Sequence, residues 1–156
     1  MKVLIWLIML YFIQPVSLQA QSKQKAEKEF LAELNNILYK SRKQHSLYEG
    51  VMTVDSAFAI NKEGILSVTL RYTNDSSYKR VRLQAPVKDI SLVRYDLYLI
   101  LEYTDKLVTY FESQWGSEVL EETGKGGWFH VGAPLPEDVA YQQRVQKALN
   151  KVKLHY

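Results

Sequence analysis

Residues 91–112 (SLVRYDLYLILEYTDKLVTYFE) constrain the fold more than any other part of the chain, because most of their side chains are apolar or aromatic. Thr104, Asp105 and Lys106 interrupt this run near its middle. Aromatic and β-branched residues on both sides of such a break are typical of two strands joined in a hairpin. The first half is apolar at nearly every position, so neither of its faces suits water. The sequence therefore predicts a hairpin at the centre of a sheet, with a helix or second sheet packed against it.

The apolar patterns of the segments around this hairpin are typical either of a helix or of a strand. We predict a helix at residues 21–45, a hairpin at 50–74, a strand at 78–85, short strands at 118–121 and 128–131, and a final helix that opens at residues 135–138. In the hairpin, Leu66, Val68, Leu70 and Tyr72 alternate with polar residues, so one face should be buried. Apolar residues recur at helical spacing in both predicted helices, which gives each helix a stripe that should face the sheet. No βαβ alternation is present in this order. The fold class predicted is α+β: an antiparallel sheet of about five to seven strands with an N-terminal helix and a C-terminal amphipathic helix. Residues 21–156 form one domain in this interpretation.

Charged residues within the predicted strands need a place in water or a partner. Asp96 interrupts the apolar run, so it should lie in a bend, accept backbone N–H bonds or pair with Arg94. Arg80 and Arg82 alternate with apolar residues in the strand at 78–85. That strand is predicted either to be half-exposed, with solvated charges, or to lie at a protected sheet edge.

Residues 1–20 have the layout of a secretory signal peptide. Lys2 gives a positive start, residues 3–13 form an unbroken apolar run of eleven residues, and Ala20 is a small residue suited to cleavage. Eleven residues span about 16 Å as a helix, roughly half of a bilayer core. We therefore predict an exported chain, periplasmic or secreted, with no permanent membrane span after cleavage. An uncleaved anchor is the alternative.

Composition excludes several functional classes. The chain has no cysteine, which rules out a thiol nucleophile, a disulfide framework and a cysteine zinc site. Without Lys2, 19 basic side chains face 17 acidic ones, a formal charge of +2. This near balance gives no support to nucleic-acid binding.

The strand order from residue 51 onward resembles that of pleckstrin-homology-like barrels. Residues 83–90 (LQAPVKDI) look like the strand-ending segment of such domains, and residues 137–149 look like their closing helix. The resemblance covers about two thirds of the chain and is one of topology, without a diagnostic motif. It implies a scaffold for binding lipids, peptides or proteins, and it identifies no ligand. An open sheet flanked by two helices is the alternative, and the long N-terminal helix lies outside the resemblance.

Few residues suggest catalysis. His45, His130 and His155 are the only histidines, and none has a ligand-like spacing to another, so no metal or cofactor is predicted. We place His45 at a helix end, where a cation suits the helix dipole. Residues 124–127 are glycine-rich but lack the sequence of a phosphate-binding loop and are predicted to form a flexible hairpin loop. A small hydrolase using His130 with a nearby glutamate remains as an alternative hypothesis.

Residues 114–134 hold five of the seven glycines and both tryptophans that follow the signal peptide. Large rings beside loops often anchor recognition. We predict a non-catalytic binding or interaction module whose ligand is a protein, glycan or lipid. The predicted binding residues are Trp115, Lys125, Trp128, Phe129 and His130. A structural subunit of an envelope assembly is a further alternative.

Overall fold

The computed structural model describes residues 2–135 and 139–156, with side chains for residues 19–135 and 140–156. Its elements are α1 (Lys2–Lys40), β1 (Val51–Ile60), β2 (Ile65–Thr73), β3 (Tyr78–Pro86), a 3₁₀ helix (Val87–Asp89), β4 (Ile90–Asp96), β5 (Tyr98–Tyr103), β6 (Val108–Glu112), β7 (Glu121–Gly126), β8 (Trp128–His130) and α2 (Val139–Lys153). The predicted α+β class, with a helix at each end, is confirmed. The predicted helix start at residues 136–138 lies outside the described residues.

The eight described strands form two antiparallel sheets. One has the order β1-β2-β3-β6-β7, and the other has the order β4-β5-β8. Both are open sheets, so the strands do not close into a barrel. The prediction of one sheet of five to seven strands is therefore replaced by a five-stranded and a three-stranded sheet that share one core.

The predicted central hairpin divides between the two sheets. β5 pairs with β4 and β8, whereas β6 pairs with β3 and β7, and residues 104–107 carry the chain from one sheet to the other. The true hairpin joins β4 to β5 through Leu97, an exposed residue with a φ of 61°. Leucine rarely adopts that conformation, so its sequence carried no turn signal. Asp96 lies at this bend as predicted, while Arg94 pairs with Glu102 at 2.7 Å.

β5 is nevertheless the sheltered strand that its composition predicts. Leu99 and Leu101 are fully buried on one face, and Ile100 is buried on the other. β3 lies between β2 and β6, which makes the edge-strand alternative for its arginines wrong. In the first hairpin the predicted alternation is confirmed, because Leu66, Val68, Leu70 and Tyr72 are all buried.

The two helices pack on the sheets and on each other. Their buried stripes are Ala26, Phe30, Leu34, Ile37 and Leu38 in α1 and Val145, Ala148, Leu149 and Val152 in α2. Arg144 contacts Glu33 at 3.2 Å and Lys151 contacts Glu29 at 2.8 Å, so part of the basic face of α2 meets α1. No helix in the described part of the chain is long and apolar enough to span a membrane. Residue 1 and the side chains of residues 2–18, on which the predicted signal peptide depends, lie outside that part.

Side-chain amides from both helices cover strand edges. Asn35 of α1 accepts the N–H of Phe58 on β1 at 2.8 Å and donates to its carbonyl oxygen at 3.3 Å. Gln146 of α2 accepts the N–H of Val93 on β4 at 2.9 Å, and Gln142 donates to the carbonyl oxygen of Val93 at 2.9 Å. These bonds take the place of a further strand at each edge.

α1 ends at Lys40 rather than at His45. The Ser41 hydroxyl donates to the carbonyl oxygen of Leu38 at 2.8 Å and accepts the N–H of Ala133 at 3.3 Å. Serine competes for backbone bonds in this way and so favours helix ends. Residues 41–50 then fold back against the sheets, which takes His45 off the helix and into the core.

Candidate functional site

A partly enclosed cavity of about 180 Å³ lies between the five-stranded sheet, β8 and residues 41–50. Its lining consists of rings from His45, Tyr48, Tyr72, Tyr110, Trp128 and His130, together with three leucines and Gly132. We call it the His–Tyr cavity. It combines residues from five parts of the chain, and only the fold brings them together.

Backbone contacts fix the segment that carries His45 and Tyr48. The N–H of Arg42 donates to the carbonyl oxygen of Pro134 at 2.9 Å, and the N–H of Met52 donates to that of Lys43 at 2.6 Å. Gly50 has a φ of 100°, and a Cβ there would lie 2.6 Å from the backbone oxygen of Thr73. A glycine is therefore required for the segment to turn into β1.

Five rings form a continuous cluster at the cavity. Tyr48 stacks on Tyr72 at 4.7 Å, and Tyr98 stacks on His130 at 5.0 Å. His45 joins the two pairs, because its ring centroid is 4.8 Å from that of Tyr98 and 5.2 Å from that of Tyr48. It also lies 5.5 Å from His130. Ring pairs at these separations stabilise each other beyond their buried area.

Hydrogen bonds define which polar atoms remain free. The Nδ1 atom of His45 accepts the N–H of Leu47 at 3.1 Å, so in the neutral ring the proton lies on Nε2. Tyr110 donates its hydroxyl to the carbonyl oxygen of Trp128 at 2.7 Å. In the described part of the chain, by contrast, the buried hydroxyl of Tyr72 has no hydrogen-bond partner. Tyr72 is fully buried, so a group inside the cavity does not reach this hydroxyl.

The titratable groups of the cavity are uncharged at neutral pH. Burial, with a smaller contribution from the nearby His130, lowers the pKa of His45 to about 4. Burial also lowers the pKa of His130 and raises that of Tyr72. For Tyr48, burial is the largest cause of a raised pKa, and the negative charge of Glu112 adds to it. The cavity can therefore stack rings and exchange hydrogen bonds without carrying charge.

The structure brings two of the five predicted binding residues together. Trp128, 58% exposed, lies at the cavity mouth, and His130 lines the interior. Phe129 points the other way, is fully buried and packs 5.8 Å from Phe58, so its ring belongs to the core. Trp115 follows the far end of β6 and Lys125 lies on β7, and neither is among the residues that line this cavity.

The glycine-rich segment differs from its predicted form. Residues 124–126 belong to strand β7, which pairs with β6, whereas β8 pairs with β5. The segment is therefore a crossing between sheets and not a hairpin loop. The predicted strand at 118–121 begins only at Glu121.

The hydrolase hypothesis needs a carboxylate within hydrogen-bonding reach of His130. No carboxylate in the described residues forms a hydrogen bond or ion pair with His130, whose ring neighbours are Tyr98 and His45. The described residues also contain no group of three or more His, Cys, Asp or Glu that could hold a metal ion.

Sequence reasoning missed four of the five rings in the cluster at the cavity, namely His45, Tyr48, Tyr72 and Tyr98. Tyr72 was predicted to face the core, but nothing in the alternation indicated that its hydroxyl would lack a partner. For His45 the available signal was Ser41, which marks the end of the helix four residues earlier. No local sequence pattern indicates that His45 and His130 lie close together in the fold.

A second polar cluster lies on the outer face of the five-stranded sheet. Asp55 accepts bonds from Arg71 and Arg80, each at 2.8 Å, and Glu118 accepts bonds from the same arginines at 3.0 and 2.8 Å. Hydrogen bonding to Arg71 is the main reason that the pKa of Asp55 is lowered. We call these four residues the charged cluster. Through Glu118 it ties the loop that carries Trp115 to the sheet.

Compared with protein-family models, curated proteins and solved structures, the chain shows no match.

Proposed function

We propose that this domain is a non-catalytic binding module that takes a ring-sized group of its partner into the His–Tyr cavity. The observation that carries the proposal is a partly enclosed cavity of about 180 Å³ that is lined by six aromatic or imidazole rings. Proteins usually bind small groups at concave sites of this mostly apolar kind. A ring that enters would meet the faces and edges of the rings that line the cavity.

The mouth of the cavity supports the same proposal. Leu47 and Trp128 line it, and their side chains are 68% and 58% exposed. Exposed apolar groups beside a concave site are typical of recognition surfaces. Leu47 and Trp128 would bury their outer faces against the remainder of the partner once its ring has entered.

The environment of His130 favours binding over hydrolysis. A general base in a hydrolase is oriented by a third group, usually a carboxylate. The described surroundings of His130 are instead the stacked ring of Tyr98 and the imidazole of His45. We assign His130 to the wall of the binding cavity.

The proposal includes export of the chain to the periplasm or the exterior, with removal of residues 1–20. Among the residues of α1 whose side chains are described, the first buried one is Ala26. Cleavage after Ala20 would therefore leave the described stripe of α1 intact. Mass spectrometry of the protein recovered from its host should show a chain that begins at Gln21. A chain that retains residue 1 would contradict this part of the proposal.

Two single tryptophan variants test the binding site. A set of small aromatic fragments would be titrated into the protein while nitrogen-15 NMR follows the indole N–H signals of Trp115 and Trp128. We expect the Trp128 signal to shift and that of Trp115 to stay in place. Trp128→Ala should abolish binding, and the matched variant Trp115→Ala should retain it.

Two outcomes would overturn the proposal. One is that no fragment binds at millimolar concentration, although the protein remains folded. The other is that binding survives Trp128→Ala and is lost in Trp115→Ala, which would move the recognition surface to the opposite end of β6.

A further inference from the structure

We infer that one end of the domain docks on a membrane surface that contains anionic phospholipids. We call it the lysine-rich end, and it consists of residues 21–29, 61–64, 86–90, 104–107 and 150–156. None of these residues lines the His–Tyr cavity, so the inference goes beyond the proposed binding site. Three properties of this end support it: its charge, its exposed apolar side chains and its place at the start of the exported chain.

Direct contacts bring the five segments of the lysine-rich end together. The Tyr156 hydroxyl donates to Glu27, and the Tyr156 ring lies against Gly64, where a Cβ would lie 2.5 Å from a ring carbon. Lys153 donates to the carbonyl oxygen of Ile90 at 2.6 Å. The turn after β5 joins them, because the last residue of β5 pairs with Ile90. The charges of these segments therefore act on the same side of the molecule.

Positive charge is concentrated at this end. Its basic side chains are Lys23, Lys25, Lys28, Lys62, Lys88, Lys106, Lys151 and Lys153. Its acidic side chains are Glu27, Glu29, Glu63, Asp89 and Asp105, whereas the rest of residues 21–156 holds eleven basic and twelve acidic side chains. The small positive net charge of the domain thus comes entirely from this end. Groups of about four to eight basic side chains beside a membrane are typical of binding to anionic lipids.

Most of these lysines are available to an external anion. In the described part of the chain, five of them are exposed and form no ion pair, namely Lys25, Lys28, Lys62, Lys88 and Lys106. Two others pair with carboxylates of α1. An exposed ammonium group can approach a phosphate without first losing a partner, so these five lysines carry the attraction.

Exposed apolar side chains lie among these charges. Leu154 is 83% exposed, the largest value among the large hydrophobic residues of the described chain, and Tyr156 and Leu107 are 37% and 36% exposed. Binding to a membrane interface strengthens both with the apolar area that enters it and with the attraction to anionic lipids. A partner that offers phosphates beside an apolar layer suits this combination, and a lipid headgroup region is such a partner.

The position of this end in the chain favours the same occupant. Residue 21 follows directly on the predicted signal peptide, so under the proposed export the lysine-rich end is the part of the domain nearest the membrane. Cleavage after Ala20 would also release the α-amino group of Gln21, which is mostly protonated at neutral pH. The exported form would therefore be more positive at this end than the described side chains alone make it.

Co-flotation with vesicles tests the inference. The protein, in the form recovered from its host, would be mixed with vesicles of phosphatidylcholine that contain about 30% phosphatidylglycerol and with vesicles of phosphatidylcholine alone. We expect at least about tenfold tighter binding to the anionic vesicles at about 0.1 M salt. That preference should disappear at about 1 M salt, where charges are screened beyond about 3 Å.

A triple variant removes charge from the turns of the lysine-rich end. Lys62→Gln, Lys88→Gln and Lys106→Gln combined should weaken binding to the anionic vesicles at least about tenfold. The three lysines are exposed and form no ion pair in the described residues, so the variant should remain folded, which thermal unfolding can confirm.

A matched triple variant removes the same charge elsewhere. Lys40→Gln, Arg42→Gln and Lys43→Gln combined changes three exposed residues at and beyond the other end of α1. It should keep its affinity for anionic vesicles within about threefold, because these side chains lie more than a screening length from the docked surface.

A single substitution tests the apolar contribution. Leu154→Ser should weaken binding about threefold or more, and Val119→Ser, which changes a residue 66% exposed outside the lysine-rich end, should not.

Three results would overturn the inference. They are equal losses in the two triple variants, equal affinity for neutral and anionic vesicles, and tighter binding to a DNA duplex than to anionic vesicles, which would assign the surface to nucleic acid. Absence of binding to either kind of vesicle would also overturn it. Fragment binding at the His–Tyr cavity is measured separately, so each of these results leaves the proposed function standing.

Discussion

The charged cluster and the His–Tyr cavity lie on opposite faces of the same strands, and they differ in whether their polar side chains have hydrogen-bond partners. On β2, Arg71 and Tyr72 are consecutive residues and so point to opposite sides of the sheet. Outside, Arg71 shares Asp55 and Glu118 with Arg80, and each of these charges has a partner. Inside, the Tyr72 hydroxyl has none among the described residues.

This difference separates a structural role from a binding role. A network whose members satisfy each other has little to gain from a ligand, and its natural task is to hold strands and loops in place. A cavity lined by neutral rings, by contrast, gains apolar contacts when another ring fills it. Changes in the charged cluster should therefore alter stability, and changes at the cavity should mainly alter binding.

The largest effect should come from Phe129, which separates two cavity residues on β8. Phe129→Ala should lower the free energy of unfolding by about 3–5 kcal/mol, because a fully buried ring would be replaced by a void. Urea denaturation measures this loss. Trp128→Ala is the control, since its ring is mostly exposed and its removal should change stability little. Equal losses in the two variants would contradict the assignment of opposite faces to neighbouring residues.

A smaller loss should follow from breaking the charged cluster at its centre. Asp55→Ala leaves two arginines without their shared carboxylate and should cost about 1–2 kcal/mol, between the values for exposed and buried ion pairs. Glu118→Ala, at the exposed rim of the cluster, should cost less. Affinity for ring fragments should be unchanged in both. A loss of fragment binding in Asp55→Ala would show that the charged cluster and the His–Tyr cavity are coupled.

Lowering the pH should weaken the His–Tyr cavity and the charged cluster in different pH ranges. The folded-state pKa of His45 lies below its ordinary value, so the unfolded chain binds the proton first and stability falls as pH drops from about 6.5 towards 4. Between pH 7 and 5 the loss should be about 1 kcal/mol, allowing for partial solvent screening. The pKa of Asp55 is also lowered. The stability that its ionised form contributes is therefore retained between pH 7 and 5 and is lost only below about pH 4.

Chemical denaturation at several pH values, with His45→Gln as the comparison, isolates this effect. The free energy of unfolding of the variant should change less between pH 7 and 5 than that of the unmodified protein, whatever its absolute stability. An unchanged slope would mean that His45 is not held neutral by burial.

The smallest effect on stability should come from Tyr72→Phe. Removing a hydroxyl that has no partner among the described residues should not lower the free energy of unfolding and should raise it by about 1 kcal/mol or less. Thermal unfolding without ligand measures this, and Tyr98→Phe is the contrast because the Tyr98 hydroxyl contacts the Ser46 hydroxyl at 2.6 Å. A clear destabilisation by Tyr72→Phe would indicate that its hydroxyl is satisfied in the free protein.

Periodicity made much of the fold predictable. Alternation at Leu66, Val68 and Leu70 identified the buried face of β2, and helical spacing identified the stripes of both helices. The division into two sheets was not predictable, because it depends on a reversal at Leu97, a residue type that does not mark turns. Of the candidate site, Trp128 and His130 were predicted from local composition.

The remaining residues of the site could not be predicted from local composition, because they come together only through contacts between distant parts of the chain. His45 and Tyr72 reach His130 and Trp128 only after two sheets and residues 41–50 have come together. Whether a buried hydroxyl finds a partner is also decided by that assembly and by no sequence pattern.

The amides of Asn35, Gln142 and Gln146 give the helices a task beyond covering the core. Each occupies backbone groups to which another polypeptide would otherwise add itself as the next strand. Docking of α1 and α2 is thus the event that ends lateral growth at β1 and β4. In a molecule whose helices have not yet docked, the backbone groups of Phe58 and Val93 stay open to pairing with a strand of a neighbouring molecule.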